Sequence, residues 1–114
     1  MPTRYYLSLP DPKAARGSDA GMSFNAHGAP EFAAQLQDAL RTRALFERWQ
    51  ATQDDPEDVD ESLAATDAGA TVTGEQRDLR VDLVATTTLP ASILRHRLRL
   101  LAGNGWELRD VTAG

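Results

Sequence analysis

Apolar and polar residues alternate from Arg77 to Thr86, with Leu79, Val81, Leu83 and Ala85 on one side and Arg80, Asp82, Val84 and Thr86 on the other. A period of two predicts a strand with one buried face. Thr86-Thr87-Thr88 keeps the β-branched preference and offers a hydroxyl to cap a helix, with Pro90 in the first turn, where a missing N–H costs nothing. Ile93, Leu94, Leu98 and Leu101 then recur at spacings of three and four, which predicts a helix. Gly103 suits the position after its end, and Asn104-Gly105 suits a tight reversal. Trp106 to Val111 reads as a closing strand, with Trp106 and Leu108 on one face and Trp106 expected to be buried.

The N-terminal half carries the same two periods. Arg4 to Leu9 sets Tyr5, Leu7 and Leu9 against Tyr6 and Ser8, and Pro10-Asp11-Pro12 stops it, so a first strand is expected. Lys13 to Ala20 is small and polar and reads as a loop. Met22 to Asn25 suggests a brief strand on the sheet edge. His27-Gly28-Ala29-Pro30 breaks the chain and leads into a helix. Phe32, Leu36, Ala39 and Leu40 form its stripe, which Phe46 rejoins, while Leu45 and Trp49 fall on another side. Residues 44–52 are expected to continue as helix, with a strand as the alternative. Ala70-Thr71-Val72-Thr73 reads as a short strand, joined through Gly74-Glu75-Gln76 to the strand beginning at Arg77.

The resulting order is strand, helix, strand, strand, helix, strand. That predicts a single α+β domain over residues 1–114, a ferredoxin-like βαββαβ sandwich with two helices on one face of an antiparallel sheet. A fold of this kind hosts enzymes, RNA binders and regulatory modules, so function has to be argued from a site.

The ending Leu100-Leu101-Ala102-Gly103-Asn104-Gly105-Trp106-Glu107-Leu108 resembles a family of small uncharacterised bacterial domains. In that family a leucine-rich helix runs through Gly-x-x-Gly-Trp-Glu-Leu into a closing strand. Here Ala102 stands where the first glycine would be, and Gly103 follows one place late. The likeness is confined to residues 100–114; it implies the local fold and no activity.

Charge changes the picture more than composition does. The net charge of −5 sets up a field that repels nucleic acid and anionic membrane alike. Cysteine is absent, which excludes disulfides, a thiolate nucleophile and a cysteine-type zinc site. No run is apolar enough for a signal peptide or a membrane span, so a cytoplasmic location is expected. Eleven arginines against the single Lys13 suggest a GC-rich bacterial genome.

Seven of the seventeen acids, Asp54, Asp55, Glu57, Asp58, Asp60, Glu61 and Asp67, fall between Gln53 and Asp67 with no base among them. Like-charge repulsion and Pro56 predict a solvated, mobile loop at about residues 53–69. Such a segment can also dock a basic partner. A calcium loop is disfavoured, because the ligand alternation and central glycine of an EF-hand are missing.

On the second helix, Arg95 and Arg99 share the solvent side, and Arg97 falls inside the apolar stripe. Arg97 either sends its head out at the rim or is buried against a carboxylate such as Asp82 or Glu107. His27 and His96 lie far apart in sequence, with no serine or carboxylate pattern around His27 to make it a general base. No phosphate-binding glycine loop and no metal-spaced histidine pair occurs, so no cofactor and no metal are expected.

These observations favour a non-catalytic module that binds a protein partner or a second copy of itself. The candidate contacts are Asp54, Asp55, Glu57, Asp58, Asp60, Glu61, Arg95 and Arg99. A nucleic-acid-binding domain using the helix arginines is the first alternative, and a small enzyme with His27 in a pocket is the second. The sheet face opposite the helices separates them. An apolar face would mark a protein interface, a basic and aromatic face nucleic acid, and converging polar groups in a hollow catalysis.

Overall fold

The computed structural model describes residues 2–114. Among the described residues the chain forms four strands and three α-helices: β1 (Thr3–Leu9), α1 (Ala29–Arg41), α2 (Ala44–Ala51), β2 (Thr71–Arg77), β3 (Arg80–Thr87), α3 (Ala91–Ala102) and β4 (Glu107–Ala113). The strands make one antiparallel sheet in the order β2-β3-β1-β4. The fold is therefore α+β.

The period-two residues behave as expected. Tyr5, Leu7 and Leu9 of β1 and Val81, Leu83 and Ala85 of β3 are buried on the sheet's inner face. In the same core lie Phe32, Leu36 and Leu40 of α1 and Ile93, Leu94, Leu98 and Leu101 of α3. Phe24 joins them edge-on to Phe32, with ring centroids 5.0 Å apart. The Tyr5 hydroxyl donates to the Leu89 carbonyl at 3.1 Å, so the buried ring keeps a partner for its polar end.

Several expectations need correction. Two helices on one sheet face do not describe the molecule, because a third helix forms and the helices do not all lie on one face. The long helix divides at Thr42, whose backbone is extended and whose N–H and hydroxyl both turn back to the Asp38 carbonyl. A hydroxyl that competes for a backbone carbonyl weakens a helix locally, so the break needs neither glycine nor proline. The chain restarts as α2, which buries Leu45 and Phe46 and packs chiefly on α1, α3 and a short 3-10 turn.

Met22–Asn25 is not a strand. It belongs to a loop tied to the end of α3, where Gly17 N–H and Phe24 N–H both donate to the Leu101 carbonyl, at 3.1 and 2.8 Å. The third strand begins at Arg80, not Arg77. Residues 71–77 form β2 entire, and Asp78-Leu79 is a two-residue turn in which Asp78 has φ 56°. Leu79 thus leaves the buried face and stands 87% exposed at the hairpin tip.

Thr87 does not cap α3, whose N-cap is Pro90; its hydroxyl instead accepts from Leu89 N–H and donates to Asp67. Gly103 ends α3 with φ 60°, and a Cβ there would stand 2.8 Å from the Arg16 carbonyl oxygen. Trp106 precedes β4 and is half-buried against the core.

Candidate functional site: the open sheet face

Sheet register places three rows of side chains across the outer face. The first holds Thr71, Thr86, Arg4 and Thr112; the second Thr73, Val84, Tyr6 and Asp110; the third Glu75, Asp82, Ser8 and Glu107. Arg77 and Arg80 close the hairpin end as a cross-strand pair. A groove of about 580 Å³ runs over this face, lined among others by Tyr6, Val84, Glu75, Arg77, Arg80 and Arg109.

Most charges of the groove are held in ion pairs. Arg77 bonds Glu75 at 3.1 Å and reaches Asp82 at 3.7 Å, while Arg80 holds the other Asp82 oxygen at 3.2 Å. Beside them Arg109 pairs with Glu107 at 3.5 Å. These side chains are substantially exposed, so each pair contributes little to stability and serves chiefly to set a fixed pattern of charge. Hydrogen bonds from Thr112 first and Arg4 second hold the Tyr6 phenol below the usual tyrosine range. The Ser8 hydroxyl is buried in the acidic row with no hydrogen-bond partner among the described residues.

Both sheet edges are guarded. On β2, Val72 N–H donates to Gln37 of α1 at 3.0 Å, and Arg41 holds the adjacent Ala70 carbonyl at 2.6 Å. A Cβ at Gly74 would lie 2.5 Å from the Ala29 carbonyl oxygen, so only glycine lets α1 sit this close. The β1–β4 register shifts between Tyr6 and Leu7, and Val111 N–H is taken by the neighbouring Asp110 carboxylate at 2.8 Å. Bulges and edge charges of this kind discourage strand addition.

The residues singled out from the sequence fall elsewhere. Asp54, Asp55, Glu57, Asp58, Asp60 and Glu61 are all exposed. Their segment carries 3-10 turns at Pro56–Asp58 and Glu61–Ala64. Asp60 caps the second turn through Ser62 N–H at 3.0 Å, and these bonds to Ser62 hold its carboxyl below the usual range. From Leu63 onward the segment is anchored. Ala64 is buried, and Asp67 accepts from the Thr87 hydroxyl (2.8 Å), Thr88 N–H (2.9 Å) and Gly69 N–H (3.0 Å).

Arg97 is fully buried, so its head does not reach out at the rim, and the alternative of a carboxylate partner fails as well. Its guanidinium donates to the backbone carbonyls of Leu63 (2.7 Å) and Ala65 (2.8 Å), not to Asp82 or Glu107. Burial pushes its pKa down from the ordinary arginine value. Arg95 and Arg99 are exposed on α3 and make no ion pair among the described residues. His27 is exposed on the turn before α1 and does not line the groove. Among the described residues no group of three or more histidine, aspartate or glutamate side chains is placed to hold a metal ion. None of their helices is long and apolar enough to cross a membrane.

The sheet arginines Arg77, Arg80 and Arg109 are what sequence reasoning missed. Their signal was the polar half of each alternating strand, which becomes a site only once four strands are set side by side. No protein-family model, curated protein or solved structure matches this chain.

Proposed function

We propose that the chain is a non-catalytic binding module that recognises a protein partner through its open sheet face. The observation that carries this reading is the composition of the groove, with Tyr6 and Val84 at its centre and Arg77, Arg80 and Arg109 around them. Tyrosine and arginine are the residues that protein interfaces concentrate, and a small apolar centre within a polar rim is their usual anatomy. Because Glu75, Asp82 and Glu107 are already engaged by guanidiniums, the face offers a patterned surface for recognition in preference to a free acid or base for chemistry.

The sheet fits a ferredoxin-like arrangement in the same reading. β3 lies between β1 and β2, the split βαβ relation, and α1 and α3 each connect strands that are not neighbours in the sheet. α2 is then an addition to that arrangement, packed on α1 and α3.

Affinity capture from native lysate with the parent protein and with a Tyr6→Ser, Arg80→Glu variant tests the proposal. A specific protein retained by the parent and lost from the variant is the expected result. Equal retention by both moves the interface off this face, and capture of nucleic acid in place of protein overturns the reading.

A further inference from the structure

Two consecutive residues of α3 hold the peripheral part of the fold. Arg97 binds the Leu63 and Ala65 carbonyls of the acidic segment. His96 packs against Trp49 of α2, with ring centroids 4.5 Å apart at an interplanar angle of 81°. Trp49 in turn contacts the buried Phe46 ring at 5.7 Å. The aromatic row Phe46–Trp49–His96 is thus part of what docks α2 on α3.

The chemistry of His96 makes this contact sensitive to acid. Its Nδ1 is buried and has no hydrogen-bond partner among the described residues. A neutral ring tolerates that as a bare lone pair, whereas a protonated ring places a donor and a charge where no acceptor waits. The group that α2 turns toward it, Trp49, is uncharged. The charges that bear on it are Arg97 and Arg99 of its own helix, and no carboxylate of α2 or of the acidic segment offsets them. Glu47 and Arg48 of α2 are exposed.

We propose that His96 is an acid-sensitive latch, whose protonation releases α2 from α3 and uncovers Phe46 and Trp49 while the sheet and α1 stay folded. Burial first, and the two arginines second, hold the folded imidazole below the usual histidine range. The unfolded or undocked state therefore takes up the proton more readily. Docking is at full strength above about pH 6.5 and weakens as the pH falls toward the folded pKa.

The test follows the His96 ring by NMR in the intact protein between about pH 8 and 5, alongside the Trp49 indole N–H and its fluorescence in a Trp106→Phe background. The expected result is a His96 midpoint below about 6.5, a Trp49 red shift tracking that midpoint, and unchanged far-UV circular dichroism. In His96→Phe the Trp49 response disappears. A midpoint at or above about 6.5, as a cation–π gain over the indole would produce, overturns the latch. So does a Trp49 response that persists in His96→Phe, or a His96 titration that leaves Trp49 unmoved. If His96→Phe does not fold, the titration of the unsubstituted protein decides.

Discussion

Arg97 and Leu63 stand 34 positions apart in the chain, and the Arg97 guanidinium donates to the Leu63 carbonyl at 2.7 Å. With the second bond to Ala65, one buried cation closes the backbone of the acidic segment onto α3. Removing a charge from water is costly, and two carbonyl acceptors without a carboxylate offset it only in part; Arg97 Nε has no partner among the described residues. The arrangement therefore contributes more to placing the segment than to net stability.

Arg97→Met tests that division. The variant keeps an apolar stem and removes the buried charge but leaves two carbonyls without a donor, so the protein should lose only about 1 kcal/mol by urea unfolding. Amide exchange should quicken first at residues 61–67, with α1 and the sheet retaining protection. Uniformly faster exchange would mean that Arg97 supports the whole core.

Asp67 makes stability depend on pH in the acid range. Hydrogen bonds from Thr88 N–H first and the Thr87 hydroxyl second hold its carboxyl below the ordinary aspartate range. The folded state therefore binds fewer protons than the unfolded state. The stabilisation is complete above the unfolded pKa and is lost as the pH falls through the lower, folded one. Asp67→Asn should cost about 1–2 kcal/mol at neutral pH and flatten the stability profile below about pH 4, as read by thermal unfolding.

Trp106 is half-buried, so its truncation should cost less than that of a core tryptophan. Trp106→Ala should lower stability by about 1–3 kcal/mol, below the 3–5 of a fully buried ring. A larger loss would show that the ring braces the turn after α3 as well as covering the core.

Neutralising Asp54, Asp55, Glu57 and Asp58 to their amides should change stability by about 0.5 kcal/mol or less, because all four are exposed and their side chains make no hydrogen bond or ion pair among the described residues. Loss of the folded state would make the acids structural. Loss of the captured partner, with stability intact, would extend the interface to this segment.

Nucleic acid should not bind at physiological salt. Arg95 and Arg99 are exposed on α3 with no ion pair among the described residues, the sheet arginines Arg77, Arg80 and Arg109 face carboxylates, and the net charge is −5. Each phosphate contact weakens by about one log unit per log of salt, so two or three do not survive that field. Gel shifts with single- and double-stranded DNA and RNA should be blank. A salt-resistant shift abolished by Arg95→Ala with Arg99→Ala would contradict this.

Local periodicity alone determined the buried faces. Tyr5, Leu7 and Leu9, then Val81, Leu83 and Ala85, then the stripes Phe32–Leu36–Leu40 and Ile93–Leu94–Leu98–Leu101 are all core, because periods of 2 and 3.6 are properties of neighbouring residues. Arg97 stood out for the same reason, as a charge inside an apolar stripe. Only the tertiary structure decided what it binds, since backbone carbonyls are offered by every residue and carry no signature in the sequence. Leu79 was misplaced because the turn, set by pairing Arg77 with Arg80, is a matter of register. The outer face was hidden for a related reason. Tyr6, Asp82 and Glu107 lie in three strands far apart in the chain, and hydrogen bonding between those strands is what brings their side chains onto one surface.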